Sequence, residues 1–222
     1  ATEPCRVVMA LEVLPSLVFT RVLLVRAEGV MTFVASEGGN APMLESELQR
    51  GRHLLLVEGC WPEGSSKQFT LSLSASAAVT LERLPATREL FEGVERLGWL
   101  SFAREQPTRL RSQSEQEVRN DYHRAVLRVR VGEEPRAGVA LLVFENGSAR
   151  LGMHVAVEVD CAKGVELIAR EVSANRCHLA INARETDVIV VKADASLPRV
   201  EATLRIAQTE LLPVTFAAEL GL

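Results

Sequence analysis

Lysine is nearly missing from this chain. Its 222 residues carry 22 Arg and 3 Lys, and the formal net charge is −4 with a pI near 5.7. Nucleic acid and anionic membranes reward a surplus of basic residues, so the overall charge gives no reason to expect either. Aspartate is scarce too. Only Asp121, Asp160, Asp187 and Asp194 occur, none in a DxD pattern. A hard cation needs several oxygens converging on one point, so calcium-dependent membrane binding is not expected. The four cysteines, Cys5, Cys60, Cys161 and Cys177, form no CxxC pair, which removes the common zinc and redox motifs. Their low density favours free thiols in a reducing, intracellular setting. No run of 18 apolar residues exists to cross a bilayer as a helix. The first residue is Ala1 rather than Met, read as a processed terminus or a fragment boundary. Processing would imply a mitochondrial or other organellar location, and otherwise a cytoplasmic or cytoskeletal one is expected.

What is present is apolar residues, 47% of the chain, repeating mostly with the two-residue period of strands. Residues 7–14, 17–26, 30–35, 53–57, 68–74 and 79–84 each read as a strand. Gly38-Gly39-Asn40-Ala41-Pro42 reads as a loop, and Pro62-Glu63-Gly64-Ser65-Ser66 as a hairpin or short loop. From Thr87 to Ala103 the spacing of Leu90, Val94 and Leu97 predicts a helix, ended by Pro107. Residues 108–121 are polar and mixed in charge, with almost nothing to bury, and read as a linker. Strands resume over 122–131, 138–144, 153–159, 165–171, 178–182, 188–192, 200–207 and 213–216. Asn146-Gly147 is a strong hairpin signal, because tight hairpin turns need positive φ. With Ser148 it spells a glycosylation acceptor, which has no secretory context here.

A weak internal repeat joins the two halves. Leu54-Leu55-Leu56-Val57 is followed after a gap by Phe69-Thr70-Leu71-Ser72-Leu73, and Val188-Ile189-Val190-Val191 by Ala202-Thr203-Leu204-Arg205-Ile206. Two copies of one β module explain this better than one large sheet. The expected fold is therefore mostly β: a sandwich over 1–84, a helix and polar linker over 85–121, and a second sandwich over 122–222.

The stretch Leu48-Gln49-Arg50-Gly51-Arg52-His53-Leu54-Leu55-Leu56-Val57, with Trp61-Pro62-Glu63-Gly64 and then Gln68-Phe69-Thr70-Leu71-Ser72-Leu73-Ser74, resembles the C-terminal hairpin of the calpain C2-like domain. Upstream, Leu17-Val18-Phe19-Thr20-Arg21-Val22 sits where that family has an apolar strand. The resemblance covers residues 5–84 and, more faintly, 150–210. It implies eight-stranded antiparallel sandwiches used for docking, regulation or lipid contact, in a calpain-like protein lacking the protease core.

Catalytic chemistry finds little to build on. Cys60-Trp61 matches the Cys-Trp pair that carries the calpain nucleophile. A reactive thiol, however, needs a helix N-terminus or a paired His, and this pair lies between strands. His53, His123, His154 and His178 have no second ligand at metal spacing, and neighbours such as Cys177 and His178 point to opposite faces of a strand. Gly38-Gly39 lacks nucleotide-loop spacing. No catalytic residue, metal or cofactor is assigned. The helix carries the candidate partner interface, Leu97, Trp99, Leu100 and Phe102, where aromatic surface concentrates in a protein otherwise poor in it. The expected function is a non-catalytic scaffold or accessory subunit of a larger protein assembly, contacting other protein subunits. The alternative is a regulatory or lipid-docking C2-like region of a calpain-like cysteine protease, with peripheral membrane contact.

Overall fold

A computed structural model describes residues 1–14, 19–60, 68–85, 87–134, 137–173, 175–193 and 201–212. Among them the protein is mostly β, with four antiparallel sheets and one α-helix. Two compact units divide it, Ala1–Gly98 and Trp99–Leu222.

The first unit holds β1 (Cys5–Leu14), β2 (Phe19–Arg26), β3 (Thr32–Gly39), β4 (Met43–Leu48), β5 (His53–Cys60) and β6 (Gln68–Ala75). They form two three-stranded sheets, ordered β4-β1-β6 and β3-β2-β5. Strand β1 alternates as a half-buried strand should: Cys5, Val7, Met9 and Leu11 are buried while Arg6 and Glu12 face water. Its apolar face meets Val22 and Leu24 of β2 and Leu44 and Leu48 of β4 in one core. Strand β2 does not alternate. Val22, Leu23, Leu24 and Val25 are all essentially inaccessible, because this strand is covered on both faces. Leu23 and Val25 enter a second cluster with Val94, against which Leu90 and Leu97 pack. Burying each such side chain contributes about 1.5–3 kcal/mol.

Those last three residues lie on α1 (Arg88–Glu105) at the spacing of one helical face. The Thr87 hydroxyl caps its start by accepting the Leu90 N–H at 3.3 Å. Its end falls just before Pro107, which cannot continue the ladder and opens a single 3₁₀ turn, Pro107–Arg109.

The second unit contains β7 (Arg111–Arg119), β8 (Arg124–Glu134), β9 (Val139–Asn146), β10 (Gly152–Lys163), β11 (Val165–Ile168), β12 (Glu171–Ser173), β13 (Arg176–Ile181), β14 (Thr186–Ala193) and β15 (Glu201–Leu212). One sheet runs β11-β14-β9-β8-β7 and the other β12-β13-β10-β15. Their facing sides enclose a core that includes Leu127, Phe144, Val155, Leu179 and Ile189.

The strand order repeats in part, although β3 pairs β2 whereas β12 pairs β13 rather than β11. In the first unit β1 lies between β4 and β6, and β2 pairs β5; in the second β10 lies between β13 and β15, and β11 pairs β14. Strands β4, β5 and β6 begin at 43, 53 and 68, and β13, β14 and β15 at 176, 186 and 201, with the same intervals.

Four expectations change. The polar stretch read as a linker contains β7, an edge strand with only Val118 buried. An edge strand exposed on both sides tolerates such composition, and Glu115 faces Arg128 across the ladder. Residues 79–84 alternate but form no strand, and Leu81 and Leu84 stay exposed. Strand β4 was not foreseen. Neither expected hairpin forms: β5 and β6 lie in different sheets, as do β9 and β10, so Asn146-Gly147 begins an arch between layers. Residues 61–67 and 213–216 lie outside the described residues.

Candidate functional site

The four residues expected to face a partner are occupied within the chain. Trp99 is 2% exposed and Leu100 9%. Leu97 packs against the cluster of Leu23 and Val25. The Phe102 ring meets Trp99 edge-on, with centroids 5.6 Å apart, and carries the Arg109 guanidinium 5.6 Å above its centre. Trp99 and Leu100 are thus committed to packing, while Leu97 and Phe102 stay half-buried.

The Cys60 backbone closes β5 against Phe19, while its side chain and Trp61 lie outside the described residues. Cys177 is fully buried in the second core, where burial pushes its thiol pKa up. His178, next in sequence, faces the other way and meets His154 on the adjacent strand, Nδ1 to Nε2 at 3.3 Å with the rings stacked. Only strand register brings these two histidines together. Among the described residues no group of three or more His, Cys, Asp or Glu side chains could hold a metal ion. Asn146 of the glycosylation signal is 3% exposed and its amide nitrogen lies within 3.1 Å of three backbone carbonyls, so it is not open to a glycan.

The charged side chains that do converge lie at one end of the β3-β2-β5 sheet. Arg26 ends β2 and stands opposite His53, which begins β5. Beside them the loop before β5 brings Arg50, Gly51 and Arg52 to a cleft of about 670 Å³, also lined by Ala1, Thr2, Glu28 and Thr80. The Glu28 carboxylate accepts from Arg26 Nη2 at 2.7 Å and from the Arg52 backbone N–H at 3.3 Å. Its place requires a glycine at 51. A Cβ there would come within 1.8 Å of Glu28 Oε1, and the Gly51 φ of +128° disfavours any other residue. The hydrogen bond from Arg26 holds the Glu28 carboxyl below the usual carboxylate range. Burial pushes His53 below its ordinary value.

Two buried nitrogens in this region, Arg26 Nε and His53 Nδ1, have no hydrogen-bond partner. The Arg50 and Arg52 side chains meet no carboxylate among the described residues. Several arginines elsewhere are paired, while Arg83, Arg111, Arg150 and Arg184 stand, like these two, without a carboxylate partner among the described residues. Arg6 pairs with Glu45, Arg21 with Glu58, Arg128 with Glu115 and Arg176 with Glu158. The cleft thus concentrates uncompensated positive charge in a protein whose total charge is negative.

No protein-family model matches the chain, and no curated protein matches it in sequence. What the cleft can do follows from its side chains. Guanidinium groups bind anions through directed N–H forks, and the Thr80 hydroxyl adds a donor at the wall, whereas that of Thr2 already donates to the Ala78 carbonyl at 3.5 Å. Sequence reading missed this cleft because Arg26 and Arg52 are far apart in the chain and meet only through the β2–β5 register. No described helix is long and apolar enough to cross a membrane.

Proposed function

We propose that this protein is a non-catalytic scaffold or accessory subunit of a larger protein assembly, and that the arginine-lined cleft is one of its docking contacts. The observation that carries the reading is that Arg50 and Arg52, both exposed and without carboxylate partners among the described residues, share one cleft with Arg26. Ordered β layers hold such groups in fixed positions, so less entropy is lost on docking. The unbridged thiols of Cys5, Cys161 and Cys177 are in keeping with a reducing setting. Gentle extraction followed by size separation tests this. The protein should elute with an assembly well above its own 24.3 kDa, and the Arg50→Glu/Arg52→Glu variant should shift toward the free protein. Elution of the unaltered protein alone as a monomer would refute it.

A second reading is favoured by the repeated strand order. Equal intervals between β4, β5, β6 and β13, β14, β15 are what duplication of one sandwich module leaves behind. Tandem modules of a calpain-like protein fit this repeat, with six described strands in the first unit and nine in the second where eight each were expected, and with regulation or lipid docking as their role. Liposome flotation with and without calcium tests the lipid role, and absence of binding under both conditions removes it.

A further inference from the structure

We infer that the cleft at Arg26, Arg50 and Arg52 is a binding site for a phosphate dianion of the phosphomonoester class. The inference rests on the docking reading only in using the same cleft, and it names the chemistry that fills it.

Charge decides the class. Three guanidiniums and one carboxylate leave the side chains of the cleft with a net charge of +2, before the Ala1 ammonium is counted. A lone carboxylate neutralises less of this than a phosphate monoester, which near neutral pH carries between about 1.5 and 2 negative charges. Geometry agrees. Guanidinium presents paired N–H donors that match two phosphate oxygens at once, and a tetrahedral dianion has acceptors for more than one such fork. Arg26 already spends Nη2 on Glu28 and its Nε is buried, so it contributes charge to the cleft rather than a free fork. Arg50 and Arg52 are wholly uncommitted to carboxylates. Glu28 has a second part in this. Its carboxylate anchors Arg26 and the Arg52 backbone, and so fixes the loop at Gly51 that carries both free guanidiniums.

The Ala1 ammonium lies at the same cleft and donates to the Gly51 carbonyl at 3.0 Å. The proposal assigns it no role, and the experiment is arranged to show that. The phosphate itself can be free or carried on a lipid headgroup, and the chemistry of recognition is shared.

Titration calorimetry of the full chain with inorganic phosphate at constant ionic strength is the test. Saturable binding is expected, weakened about tenfold by Arg50→Gln or by Arg52→Gln and roughly 100-fold by both, in line with loss of charge-assisted hydrogen bonds. Arg124→Gln/Arg128→Gln removes the same total charge from β8 and should leave affinity unchanged. Equal weakening by that pair would reduce the effect to bulk electrostatics and overturn the site. Acetylating Ala1 should preserve binding, and its loss would transfer the site to the amine and overturn the assignment. A parallel flotation compares vesicles of phosphatidylcholine with added phosphatidic acid or phosphatidylserine. Binding to phosphatidic acid alone, abolished by the double variant, places the phosphate on a lipid, and binding only to free phosphate places it in solution. Equal capture by both anionic lipids, or no binding in either arm, would overturn the proposal. A protein that enters an assembly but binds no phosphate would refute this inference and leave the docking reading standing; one that binds phosphate but runs alone would do the reverse.

Discussion

Asn146 ties together segments that are distant in sequence. Its Nδ2 lies 2.9 Å from the Leu151 carbonyl and 3.1 Å from those of Ile181 and Asn182, and its Oδ1 accepts the Ser148 N–H at 2.9 Å. Replacing the amide with a carboxylate of the same shape puts oxygen against three carbonyl oxygens in a site 3% exposed. Asn146→Asp should therefore cost about 3 kcal/mol in urea unfolding, and Asn146→Ala about 2. A loss under about 0.5 kcal/mol for the aspartate variant would show that the carboxamide does not hold the arch. Arg21 is a second such residue. It donates through Nη2 to Glu58 at 2.7 Å and stands 3.9 Å from Glu95, and all three side chains are almost fully buried. Arg21→Met removes the guanidinium from between two buried carboxylates. Breaking a buried pair on one side typically costs about 3–5 kcal/mol, far above an exposed pair such as Arg6 with Glu45. Denaturant midpoints of Arg21→Met and Arg6→Met should separate accordingly, and similar midpoints would refute the buried arrangement.

At the scale of elements, α1 contains two glycines whose replacement should have opposite signs. Alanine is worth about 1 kcal/mol over glycine in a helix interior. At Gly93 a new Cβ would lie 3.2 Å from Met31 Cε, the end of a flexible and partly exposed side chain, so Gly93→Ala should stabilise by up to that amount. At Gly98 the Cβ would lie 2.3 Å from Leu23 Cδ2, in a fully buried residue of β2. Gly98→Ala should destabilise by about 1–3 kcal/mol. Thermal melting of the two variants checks both, and two shifts of the same sign would contradict the packing of this helix on the sheet. The helix was legible in the sequence because Leu90, Val94 and Leu97 keep a helical period and Pro107 ends it. Strands β1 and β2 were legible as apolar runs. Strand β7 was not, since an edge strand with one buried residue carries no apolar face to read. Residues 79–84 show the converse, a strand-like alternation without a partner. Asn146-Gly147 misled because the residues that favour a tight turn serve an arch between sheets equally well. The charged cleft and the His154–His178 pair share one reason for being illegible: both depend on which residues stand opposite across strands, and register is set by the whole sheet.

Over the whole molecule, net charge concealed the arginine cleft, because an excess of acidic groups coexists with arginines gathered at one place. Charge also sets how stability responds to pH. Glu28, Glu117 and Glu158 are each held below the ordinary carboxylate value of 4.5 chiefly by a hydrogen bond from Arg26, Arg119 and Arg176 respectively. Glu158 alone bridges three strands, reached from β13 by Arg176 and from β15 by Arg205. A depressed folded value means the folded state binds fewer protons than the unfolded chain, so these contributions are present above 4.5 and are lost as the pH falls through the lower folded values. His53 is also depressed, by burial, from an ordinary 6.5, and its contribution is present above that value and declines below it. Cys177 is raised from 9.0 by burial, so its contribution is present below 9.0 and is lost as the pH rises beyond it. Stability should therefore be flat between about 6.5 and 9, fall gently on the acid side, and fall further below about 4.5. Urea denaturation across this range measures it. His53→Gln should remove the first acid step and Cys177→Ala the alkaline decline. Added salt should flatten the carboxylate limb, whose ion pairs are exposed, and leave the limbs caused by burial. An acid step near 6.5 that survives His53→Gln would show that another group carries the protonation now placed at His53.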